Sequence, residues 1–144
     1  MKRHISILVL VACLAAAGLA YAQGMQGHDQ MKGAFRHEGV AEGIKADFEV
    51  MSLASMNMPD ASGATHHVMV KLFREDTGAP IADAVGRVKV ISPTGQEAVV
   101  DLKDYNGTYA ANFTAREPGR YGIIVLLKAD GKKPLYKFWY PYQS

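Results

Sequence analysis

From Val40 to the C-terminus, apolar and polar residues trade places one by one over short stretches. Turn-forming Gly, Pro, Asn or Asp interrupts them roughly every 8–15 positions. A period of two is the geometry of an extended strand, whose successive side chains point to opposite faces. No window repeats its apolar residues at helical spacing over a helix's length. The chain is therefore expected to be all-β: a seven-stranded antiparallel sandwich over residues 40–144.

The strands follow from the alternation. Residues 44–53 put Ile44, Ala46, Phe48 and Val50 on one face and Lys45, Asp47, Glu49 and Met51 on the other. Residues 65–74 put His66, Val68, Val70 and Leu72 together, opposite His67, Met69, Lys71 and Phe73. Residues 85–91, 97–102, 108–114, 121–127 and 135–140 complete the set. Ser92-Pro93-Thr94-Gly95 has proline where a type I or II turn wants it, while Asn106-Gly107 and Asp130-Gly131 are hairpin signals. Pro141 is expected to end the last strand. If the first two strands pair through their apolar faces, Phe48 lies opposite Val70 and Val50 opposite Val68. Met51 then falls opposite His67 on the outer face, with Met69 one diagonal step away.

Two segments precede this region. Residues 1–22 carry Lys2 and Arg3, an apolar run over 5–19 and Ala20-Tyr21-Ala22, the plan of a secretory signal peptide. The run is short for a membrane span and no second one follows, so no transmembrane segment is expected. A periplasmic or secreted location follows. The alternative is a lipoprotein anchored through Cys13 in Leu10-Val11-Ala12-Cys13. Residues 23–39, rich in Gly, Gln and charge, are expected to be a flexible arm. Loss of residues 1–22 takes Lys2 and Arg3 from the 16 basic side chains, leaving 14 against 14 acidic. A formal charge of zero argues against nucleic acid or an anionic membrane as partner, since both demand a basic face. The single cysteine goes too, which excludes disulfides and thiolate chemistry.

Three stretches, "DTGAPIADAVGRVKVISPTGQ", "NGTYAANF" and "EPGRYGIIVLL", resemble immunoglobulin-like YtkA-like domains of bacterial periplasmic proteins. The resemblance covers residues 65–128. It implies an immunoglobulin-like fold, with Tyr121 placed as a tyrosine corner tied to upstream backbone. It says little about function, since such sandwiches serve many purposes. More distantly the chain is similar to CopC-like copper carriers, but those use a histidine at the mature N-terminus, where this chain would have Gln23. No ligand is carried over from them.

No enzyme is expected. There is no thiol nucleophile, no Gly-x-Ser-x-Gly, and no histidine in a nucleophile–base motif. Methionine and histidine stand out instead. After residue 22, every Met (25, 31, 51, 56, 58 and 69) and every His (28, 37, 66 and 67) falls before residue 70. Thioether and imidazole without thiolate suit copper, above all Cu(I). The expected primary site is Met51, Met56, Met58, His67 and Met69. In the arm, Met25, His28 and Met31 form an auxiliary clasp, because closing it costs roughly 1–2 kcal/mol of backbone entropy per residue. His66, inward, is read as a core histidine. The competing reading is a structural or protein-interaction module of the cell envelope with no metal, in which the methionines fill gaps. On that reading the aromatic C-terminal strand "LYKFWYPY" offers a docking edge through Trp139.

Overall fold

The computed structural model describes residues 34–58 and 60–143; Met25, His28 and Met31 lie outside them. Among the described residues there are nine strands: β1 (Phe35–Ala41), β2 (Ile44–Ser52), β3 (His66–Arg74), β4 (Ala84–Ile91), β5 (Glu97–Asp101), β6 (Lys103–Tyr105), β7 (Thr108–Phe113), β8 (Gly119–Ala129) and β9 (Leu135–Tyr142). They form two sheets, ordered β1-β2-β3-β7-β6 and β5-β4-β8-β9, and every neighbouring pair is antiparallel. The fold is an all-β sandwich. Among the described residues no helix is long and apolar enough to cross a membrane.

The count is nine where the alternation predicts seven, for two reasons. Residues 35–39, expected in the flexible arm, belong to β1. Its inward positions are Phe35, His37, Gly39 and Ala41, too weak an apolar face to read as a strand alone. Pairing with β2 and stacking on β9 hold it: the His37 ring lies 4.7 Å from Phe138 and Phe35 lies 5.5 Å from Tyr140. Gly39 fits this contact, since a Cβ there would stand 3.0 Å from the Tyr136 ring. The second reason lies at Leu102, expected to be the last residue of the strand 97–102, with no strand expected at 103–105. Its N–H donates to the Gly86 carbonyl at 2.9 Å, and the chain then steps from the second sheet to the first. Residues 103–105 become β6, which turns into β7 through Asn106-Gly107, both at positive φ.

The β2–β3 register is the expected one, with Phe48 opposite Val70, Val50 opposite Val68 and Met51 opposite His67. Between the sheets, Phe48 packs edge-on to Tyr136 at 5.4 Å and lies 4.9 Å from Phe138. Buried tyrosines find partners for their hydroxyls. Tyr136 donates to the Ile44 carbonyl at 2.8 Å, and burial pushes its pKa up to about 12. Tyr109 donates to the Ala82 carbonyl and accepts the Ala84 N–H. Tyr121 donates to the Glu117 carbonyl at 2.9 Å, the upstream tie expected of a tyrosine corner. Pro141 does not end the last strand: β9 runs to Tyr142 with Pro141 opposite Arg120. β9 is an edge strand, where a missing N–H can face away from the ladder.

Candidate functional site

His66 and His67 are consecutive in β3 and so point to opposite faces. His66 turns inward and is 2% exposed. Its Nδ1 lies 2.8 Å from the Thr65 hydroxyl, which also accepts the Ala115 N–H at 2.9 Å. The rings of Phe113 (5.5 Å), Tyr140 (5.7 Å) and Tyr142 (4.8 Å) surround it. Burial holds its pKa below the usual histidine value, because a charged imidazole loses its water there. It is the core histidine that the alternation predicts.

His67 turns outward and is half-buried. Its Nδ1 meets the side-chain oxygen of Asn112, the residue opposite it on β7. The Asn112 amide nitrogen donates in turn to Asp60 Oδ2 at 2.7 Å. The other oxygen of Asp60 accepts the Ser62 N–H at 2.7 Å and the Ser62 hydroxyl at 2.6 Å. Bonds from Ser62, then from Asn112, hold the Asp60 carboxyl below the usual carboxylate range.

This relay settles a tautomer. Asn112 spends its nitrogen on a carboxylate, which can only accept, so its oxygen faces His67. Nδ1 of His67 must therefore carry a proton, so in the neutral ring it is Nε2 that holds the lone pair. A neutral imidazole oriented through Nδ1–H is the usual arrangement of a metal-ligating histidine.

Around His67 the fold gathers part of the expected set. Met51 lies directly opposite it on β2, and Met69 lies two residues along β3, opposite Glu49 and Ala110. Met51 is not the open surface residue its parity suggests. It is 4% exposed yet stands outside the core cluster between the sheets. The short 3-10 turn Ala54–Met56 packs back against β2 and carries Met56, half-buried. Met58 follows in the loop, 54% exposed, its N–H donating to the Leu53 carbonyl at 3.0 Å. The fold thus sets Met51, His67 and Met69 on one sheet face. Met56 and Met58 follow in the loop leaving β2.

Sequence reasoning missed Asn112 and Asp60. Asn112 sits in "TYAANF" as an ordinary outward polar residue, and its role becomes visible only once β7 is known to pair with β3. Asp60 approaches from a loop that carries no periodic signal. Among the described residues no group of three His, Cys, Asp or Glu side chains converges. Any ion held here would depend on thioether sulfur beside the single imidazole.

No family model and no curated protein matches the chain. Among solved structures, it is similar to the crystal structure of a DUF4426 family protein from Pseudomonas aeruginosa PAO1. The TM-score is 0.56 at 13% identity, over 74% of this chain and 94% of that one. At that identity the likeness shows the fold alone, an all-β fold, and this is what stands of the resemblance to YtkA-like and CopC-like proteins.

Proposed function

We propose that this chain is an exported, non-catalytic β-sandwich protein that binds copper through methionine and histidine. His67 Nε2 is the anchor, Met51 and Met69 are the neighbouring thioethers, and Met56 and Met58 close from the loop. The single observation that carries the reading is the His67–Asn112–Asp60 relay. It spends two polar side chains on fixing the orientation and tautomer of one half-exposed imidazole, beside two sulfurs in the facing and same strands. Hard cations such as Ca²⁺ or Mg²⁺ would want several oxygen ligands in place of thioethers. Soft, thioether-tolerant Cu(I) fits the donors present. Met25, His28 and Met31 would add a second grip from the N-terminal arm at an entropic cost.

The test is competition for Cu(I) against a chelator, with three proteins compared. They are the chain from Gln23, the same chain without residues 23–33, and a His67→Ala/Met69→Ala double variant. The shortened chain must keep Phe35–Ala41, since β1 is part of the sandwich. Its affinity should fall modestly, and that of the double variant should nearly vanish. Failure of the chain from Gln23 to compete at all would reject the copper reading.

A further inference from the structure

The outer face of the second sheet differs from the rest of the surface. Among the described residues, five of the eight exposed large hydrophobic side chains lie on its outward positions: Val85, Val99, Leu126, Leu135 and Trp139. The same positions carry five cations, Arg87, Lys89, Arg120, Lys128 and Lys137, against two carboxylates, Glu97 and Asp101. Asp101 is taken by Arg87 at 2.9 Å and Glu97 by Lys89 at 2.7 Å. The formal charge of zero that argues against an anionic partner is therefore an average over residues 23–144. Folding sorts it, and this face carries a net charge of +3.

We propose that this face docks on an anionic phospholipid surface. Charge complementarity selects the partner's sign, and the arrangement selects a bilayer over a protein. Protein interfaces gather an apolar centre and deplete lysine there, leaving charge to the rim. Here Lys89 and Lys137 flank Ile124 within one row across the sheet, and Arg87 lies beside Leu126 in the next. Lysine and arginine stems can lie along apolar neighbours while their heads reach phosphate, the habit of interfacial side chains. Trp139 completes the pattern. Its indole lies over Gly122, where a Cβ would stand 3.4 Å from the ring, and the Arg120 guanidinium stacks 4.9 Å from its centre. An indole beside a cation suits the headgroup level of a bilayer.

Trp139 is the only tryptophan in the chain, so its fluorescence reports on this face alone. The experiment uses the chain from Gln23, which keeps all nine strands and lacks the apolar run at 5–19. It is sedimented with mixed phosphatidylglycerol–phosphatidylcholine vesicles and with phosphatidylcholine vesicles, while Trp139 emission is followed. The mixed vesicles should bind the protein, shift the emission to the blue and release it as salt is raised. Lys128→Glu/Lys137→Glu should weaken binding at least about tenfold. Leu126→Ser/Leu135→Ser should weaken it without changing its salt dependence. All four positions are exposed, and unfolding curves that overlay the parent's establish that each variant is folded. Absence of binding to the mixed vesicles at low salt overturns the proposal. So does binding that survives charge reversal, or that leaves Trp139 emission unmoved. A blue-shifted Trp139 without vesicles, in a protein that sediments as a dimer, would instead assign the face to a second copy of the chain.

Discussion

Asn112→Ala separates a structural role for the relay from a ligand-holding one. The substitution removes the acceptor for His67 Nδ1–H and the donor to Asp60 together, and leaves both strands intact. Two hydrogen bonds at a half-buried site, at about 0.5–1.5 kcal/mol each, put the stability loss at about 1–2 kcal/mol, since water replaces part of what is lost. For a domain of this size that is a fall in Tm of about 5–10 °C. Asp60 keeps both bonds from Ser62, so its loop should stay in place. The imidazole, however, is free to rotate and to move its proton to Nε2, the nitrogen that would face a metal. Loss of such a supporting partner typically costs about 10–100-fold in metal affinity. Thermal unfolding and Cu(I) competition on the same preparation measure the two effects. A Tm that falls as calculated, with Cu(I) affinity equal to the parent's, would refute the ligand-holding argument and leave the relay as a tie between β7 and the 53–65 loop.

Two further outcomes test the core. Phe48→Ala empties the space between Tyr136, Phe138 and His37 and should cost about 3–5 kcal/mol, read by urea unfolding; a loss below about 1 kcal/mol would mean that the sheets do not pack through this ring. His66 has a folded-state pKa held below its ordinary value near 6.5, so the unfolded chain binds the proton more readily. Its stabilising contribution is complete above about pH 6.5 and drains away as pH falls through that value toward the folded one. Unfolding curves between pH 8 and pH 5 should show this slope, and His66→Leu should flatten it; an unchanged slope in the variant would place the titration elsewhere.

The sequence by itself determined the strand character, the turns and the β2–β3 register. A period of two with one buried face leaves little freedom, because a slip of one residue would send Phe48 and Val50, or else Val68 and Val70, to solvent. The same parity rule separated inward His66 from outward His67. What only the tertiary structure decided concerns residues whose meaning comes from a neighbour distant in the chain. Phe35–Ala41 is a strand because β2 offers it an edge and β9 offers Phe138 and Tyr140 to stack on, neither of which its own pattern announces. The break at Leu102 comes from a hydrogen bond to Gly86 in another strand. Asn112 acquires its role from His67, which is 45 positions away. Charge behaves likewise: sequence gives its total, but which cations share a face is set by sheet order, and the order β5-β4-β8-β9 collects five of them on the face that bears Trp139. Local alternation is encoded within a few residues and can be read directly, whereas pairing partners across two sheets exist only once the chain has closed on itself.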